Sequence, residues 1–283
     1  MRPGTRCVNL ARRFARRFVH HVVGRSARRS VRHTALVVCA LVATAACHPE
    51  FNPKLYPNPE TLFAVGLKEL NAKHWENATK AFDQLTRDLP ARDPLLPPSY
   101  FYLGQAQGAD GDHLLAAQSF NRVADAFPED SLAPVSLYQA GREYSQMWRR
   151  SDLDPQYGVQ AQNTLSSLEA LYPDSKYMEQ AKALLAHLDG MFAEKDFLTG
   201  YSYYRRHAYD SGIIYFKDVI RLHPTAPATR NAYLYLLDSY RKINYRDDAT
   251  ETCEAMLKAY PGDKEISNKC GSVSSAAAST PRT

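Results

Sequence analysis

The chain has 283 residues, of which 35 are Lys or Arg, 30 are Asp or Glu, and 45% are hydrophobic. Ten of the basic residues and no acidic one fall within residues 1–46, so the remaining 25 basic residues face all 30 acidic ones and the chain beyond residue 46 has a formal charge of −5. The basic character belongs to the leader and gives no argument for a nucleic-acid partner.

Residues 34–46 form an apolar run of 13 residues behind a basic flank. The run is too short for a transmembrane helix, which needs about 20 apolar residues, and it suits the h-region of an export signal. It closes on Thr44-Ala45-Ala46-Cys47. This resembles the lipobox of bacterial lipoproteins, with Thr44 where an aliphatic residue is usual. The resemblance implies a cleaved signal peptide over residues 1–46 and lipidation of Cys47, with no cofactor beyond that covalent lipid. Burial of acyl chains contributes about 0.8 kcal/mol per CH₂, so several chains hold a protein on a membrane. Two other readings stay open: a plain secretory signal with Cys47 incidental, and a translation start further down, near Val31. Residues 47–59 carry four prolines and read as an extended tether between lipid and domain. His48, rather than Asp, after the lipid cysteine implies the outer membrane by the same resemblance.

From Glu60 the chain repeats. Ala78, Phe82, Leu85 and Pro90 recur as Ala116, Phe120, Val123 and Pro128, then as Ala161, Leu165, Leu168 and Pro173. The series continues with Gly212, Phe216, Val219 and Pro224, and with Ala249, Cys253, Met256 and Pro261. The spacing puts each trio on one helix face, and the proline ends the helix. A partner helix lies upstream each time, with Gly66, Gly104, Gly141 and Gly200 at points where two backbones can approach closely. This is the tetratricopeptide pattern of two antiparallel helices per repeat. It predicts an all-α superhelical solenoid of five helix pairs over residues 60–262, with repeats at about 60–90, 98–128, 135–173, 195–224 and 231–261. The third repeat carries an insertion over residues 149–155, and residues 175–206 read as one long helix. Residues 263–283 are rich in Ser, Ala and Thr and are expected to be a disordered tail.

After processing three cysteines remain: Cys47, Cys253 and Cys270. Cys253 and Cys270 could pair in an oxidising compartment; the favoured reading is a packed Cys253 and a free Cys270 in the tail. No spacing resembles a zinc site. The histidines beyond residue 47 form no nucleophile, metal or acid–base arrangement, so no catalytic residue is assigned and an enzyme is not expected.

The irregularities carry a more specific resemblance. The lipoprotein leader, five repeats, Asp152-x-Asp154-Pro155-Gln156, Tyr172-Pro-x-Ser-x-Tyr177, Tyr203-Tyr204, Ala208-Tyr209 and Ala228-Thr-Arg-x-Ala232 resemble the BamD family of outer-membrane assembly lipoproteins. The resemblance covers about residues 47–262. His207, where glycine is usual, and Leu89 before Pro90, where tyrosine is usual, depart from it. It implies a scaffold on the periplasmic face of the outer membrane, in the barrel-assembly (BAM) complex. Such a scaffold docks a BamA-like barrel protein through its polypeptide-transport-associated (POTRA) domains and receives unfolded outer-membrane proteins in its N-terminal repeats. Another periplasmic tetratricopeptide lipoprotein, working in pilus assembly or cell-wall and division coordination, is the alternative.

In this repeat type the fifth position of each first helix lines the concave face. Phe63, Phe101 and Tyr138 are therefore candidates for a groove that holds an extended client segment; aromatics give large contact area at low entropy cost. The opposing reading packs these rings against the next repeat. Asp152 and Asp154 in the insertion, and Arg230 and Tyr233 near the C-terminus, are candidates for the partner interface; the insertion charges could equally be a solvated loop.

Overall fold

The computed structural model describes residues 51–277, with side chains to Gly271. Residues 1–50 and 278–283 lie outside the described residues, and with them the expected signal peptide over residues 1–46 and the expected lipidation at Cys47.

Among the described residues there are eleven α-helices and no strand. They are α1 (Pro59–Asn71), α2 (Trp75–Asp88), α3 (Leu96–Asp110), α4 (His113–Ala126), α5 (Ala133–Met147) and α6 (Gln156–Leu171). There follow α7 (Met178–Arg205), α8 (Tyr209–Leu222), α9 (Pro227–Lys242), α10 (Arg246–Ala259) and α11 (Lys264–Ala277). The fold is a solenoid of five helix pairs closed by α11. Each helix packs mainly on its neighbours in sequence, so stability accumulates pair by pair.

Local chemistry sets the helix ends. Asn58 accepts a hydrogen bond from the Thr61 N–H at 3.0 Å, and Pro59 needs no N–H at the first helical position, so α1 starts there. Before it, Pro53–Leu55 makes one 3-10 turn in the segment expected to be extended. Four of the five turns within pairs share one closure. A left-handed residue (Lys73, Gly111, His207 or Asn244) follows the first helix, and the next N–H bonds back five residues, as His74 does to Glu69 at 2.9 Å. Left-handed backbone there satisfies the last carbonyls, which is why His207 can stand where glycine is usual. The third pair has the insertion in place of this turn. Three of the four links between pairs, and the link before α11, are built alike: the side chains of Asp93, Asp130, Ser175 and Asp263 each accept an N–H two residues on.

Within pairs, size complements size. A Cβ added at Gly66 would lie 2.9 Å from Phe82, at Gly104 3.0 Å from Phe120, at Gly141 2.6 Å from Leu165, and at Gly200 2.9 Å from Phe216. The fifth pair reverses the arrangement: Leu237 takes the glycine's place and Cys253 the ring's, and both are buried. Beyond the buried core of the first pair, with Phe82 and Leu85, the apolar interior includes two clusters. One runs from Phe101 to Leu188 and the other from Ala193 to Cys270. Helix α7, 28 residues long, belongs to both. Trp148, buried at the end of α5, joins α5, α6 and α7; it faces Gly158 on one side and the Phe192 ring at 4.6 Å on the other.

Two expectations need correction. Residues 264–277 are helical rather than a disordered tail, because Ile266 and Cys270, four apart, turn one face onto α10 and are buried. Cys253 and Cys270 are joined in a disulfide with Cα atoms 5.5 Å apart, so Cys270 is not a free thiol.

Candidate functional site

First helices touch at α1 with α3, α5 with α7 and, most extensively, α7 with α9, and α3 and α5 flank one cavity, so the first helices share a face. That face has two chemically different halves.

The N-terminal half holds a cavity of about 370 Å³ between α3 and α5, lined by Gln105, Gly108, Gln139, Arg142, Glu143 and Gln146, among others. Its floor is the buried Glu143 carboxylate. This carboxylate shares a hydrogen bond with His113 Nδ1 at 2.8 Å and accepts one from Arg142 Nη2 at 3.0 Å. A buried charge needs such partners. Gly108 leaves room for it: a Cβ there would sit 3.2 Å from the carboxylate. The Gln139 Oε1 atom is buried and has no hydrogen-bond partner among the described residues. Three amides and a half-exposed guanidinium offer both donors and acceptors, the groups that pair with a polypeptide backbone.

The C-terminal half is aromatic. Tyr235 packs edge-on against Tyr201 and Tyr204 with ring centroids 5.0 Å apart in both pairs, and Phe197 lies 5.7 Å from Tyr235. The Tyr204 hydroxyl donates to Asp238 Oδ2. That bond, with burial second, raises the Tyr204 phenol well above its ordinary range. Burial first, and Tyr201 beside it, raise Tyr235.

The predicted site residues are not brought together. Phe101 is 8% exposed and packs edge-on against Phe120 at 5.5 Å, so it is a core ring and is withdrawn from the groove. Phe63 and Tyr138 are half-buried on the face. Phe63 touches Phe82 and Tyr102, at 5.6 and 5.8 Å; Tyr138 stacks on Tyr177 at 5.8 Å. Asp152 pairs with Arg150 in the exposed insertion, which lowers its carboxyl. Asp154 accepts the Gln156 N–H at 2.8 Å and starts α6. Lys195 Nζ donates to the Leu153 carbonyl at 2.8 Å and fastens the insertion to α7. Arg230 grips Asp263 through Nε at 2.8 Å and Glu265 through Nη2 at 2.8 Å, and Tyr233 meets the Tyr260 ring edge-on at 6.1 Å. Arg230 thus holds the first turn of α11, and Tyr233 packs on the end of α10. The cavity residues Gln105, Gln139, Arg142 and Gln146 were not foreseen; their only signal is helical spacing of polar residues between core positions.

Residues 57–265 match the family model described as YfiO, outer membrane lipoprotein. The chain belongs to this family. Among its relatives is the outer membrane protein assembly factor BamD of Caulobacter vibrioides, 24% identical over 238 residues, covering 81% of this chain and 76% of the relative. The assembly factor BamD of Neisseria gonorrhoeae is 24% identical over 241 residues, covering 80% and 88%. Of solved structures, a tetratricopeptide-repeat protein of Bacteroides fragilis aligns with a TM-score of 0.48 at 12% identity, covering 77% of this chain and 99% of that one. The YfiO match ends at Glu265, so most of α11 lies beyond it.

Proposed function

We propose that the chain is a non-enzymatic scaffold of outer-membrane protein assembly, lipid-anchored through Cys47 on the periplasmic face of the outer membrane. It holds unfolded outer-membrane proteins along the face of its first helices and docks a BamA-like barrel protein through that protein's POTRA domains. The observation that carries the reading is the amide- and guanidinium-lined cavity between α3 and α5, at the scale of one peptide segment, in a chain of a family whose relatives are named assembly factors. Amides and Arg142 bind backbone without selecting a sequence, which suits a scaffold with many clients. No helix among the described residues is long and apolar enough to cross a membrane, in keeping with attachment by lipid.

The test uses the lipid-anchored full chain with a photoreactive residue at Gln146. Cross-linking to urea-unfolded outer-membrane protein, and a roughly tenfold weaker client affinity in Arg142→Ala, are expected. Equal affinity in a folded Arg142→Ala protein sinks the assignment of clients to this cavity. Purification of the solubilised protein without a barrel protein bearing POTRA domains sinks the assembly role.

A further inference from the structure

Helix α11 extends past the end of the family match, and little apolar surface holds it. Up to Gly271 only Ile266 and Cys270 of its side chains are buried. A helix of 14 residues is marginal on its own. Its docking is completed by the Arg230 grip on Asp263 and Glu265, by an Arg241 hydrogen bond to the Lys269 carbonyl, and by the Cys253–Cys270 disulfide. The sequence arranges the last of these. Cys253 occupies the position held by Phe82, Phe120 and Phe216 in other pairs, and Leu237 fills the space left over. The Cys253 sulfur thus lies within the core cluster, where it bonds Cys270 of α11.

We propose that Cys253 and Cys270 form a redox latch, a thiol–disulfide exchange site that fixes α11 over the last helix pair when oxidised and releases it when reduced. Both cysteines are almost fully buried, at 5% and 4% exposure. A reductant reaches a sulfur only after α11 lifts, so the latch protects itself while docked. In the opening step a thiolate of a dithiol reductant attacks one Sγ. The S–S bond breaks, and the second cysteine leaves as a thiolate and takes up a proton. The reductant's other thiol then resolves the mixed disulfide, so the chain gains two electrons and two protons while the reductant becomes a disulfide. Closing is the reverse, with an oxidised dithiol oxidoreductase as the two-electron acceptor. Arg230 is a positioning residue here: it holds the first turn of α11 and sets how often the helix lifts. The released state uncovers the end of the C-terminal core cluster to which Ile266 and Cys270 belong.

The experiment uses the full-length oxidised protein. Hydrogen–deuterium exchange is followed over residues 264–277 before and after reduction by dithiothreitol, and reduced cysteines are trapped with a maleimide and located by peptide mass spectrometry. Removing a cross-link that closes a loop of this size is expected to raise exchange in 264–277 on the order of a hundredfold, with residues 178–222 unchanged as the folding control. Arg230→Ala is expected to speed reduction of the disulfide several-fold. Equal protection of 264–277 in the reduced protein overturns the latch, as does recovery of both cysteines as free thiols from protein trapped at cell lysis. An unchanged reduction rate in Arg230→Ala overturns gating by helix lifting.

Discussion

The same substitution, glycine to alanine, is expected to move stability in opposite directions at two helical positions. Gly190 lies inside α7, and the nearest atom to an added Cβ is Pro227 Cδ at 4.0 Å, an ordinary contact. Nothing offsets the helix preference of alanine, so Gly190→Ala should stabilise by about 1 kcal/mol. At Gly158 the added Cβ would lie 2.1 Å from Trp148 Cε3 and 2.6 Å from Cζ3. The indole cannot retreat: it is 1% exposed and Phe192 stands against it. Overpacking of this severity costs about 3 kcal/mol, against a propensity gain of about 1 kcal/mol at most. Gly158→Ala should therefore destabilise by roughly 2 kcal/mol. Urea unfolding followed both by helix circular dichroism and by fluorescence of the two tryptophans reads both effects. A Gly158→Ala midpoint at or above wild type would refute the packing argument, because Trp148 would then have room that the structure denies it.

Glu143→Ala should cost about 1–2 kcal/mol, since it leaves the mostly buried His113 ring without its hydrogen-bond partner; chemical denaturation measures it. Phe101→Ala should cost about 3–4 kcal/mol as a core deletion, and Phe63→Ala clearly less, on the same assay. The Arg230 grip holds the Asp263 and Glu265 carboxyls below their ordinary range. A depressed value means stabilisation present above the ordinary carboxylate range and lost as pH falls through the folded values. Docking of α11 should thus be constant from pH 5 to 8 and weaken only in acid, and carboxyl NMR should show both groups returning toward ordinary values in Arg230→Ala. For Tyr204 the sign reverses: its raised phenol gives stabilisation present at neutral pH and lost only in strong alkali. Ultraviolet titration should find Tyr204 among the late-ionising tyrosines, and Asp238→Asn should bring forward that late phase.

The repeats were legible because burial follows period. Ala78, Phe82 and Leu85, and their four counterparts, sit on the buried face of each second helix, and the long helix α7 showed as an unbroken apolar spacing. Polar positions left no such mark. Arg142 and Gln146 occupy the same face of α5, but nothing in a sequence separates a groove lining from ordinary solvated residues. Phe101 misled for a related reason: a fixed repeat position told which helix face it is on, and the adjacent Phe120 ring then covered it. The C-terminal helix was hidden by its Ser- and Ala-rich composition, in which Ile266 and Cys270 were the only two signals of a buried side.

Helix α7 has a consequence for the phase of the molecule. The N-terminal cluster ends at Leu188 and the C-terminal one begins at Ala193, so the two halves meet across little more than one helical turn of a single continuous helix. Their relative rotation is counted in residues. One residue inserted beside Gly190 would advance the C-terminal half by about 1.5 Å and turn it by about 100°, swinging the tyrosine-lined half of the face away from the amide-lined half. Seven inserted residues would return it to within about 20°. The length of α7 modulo a turn, rather than the identity of its solvent-facing residues, keeps the two halves on one side.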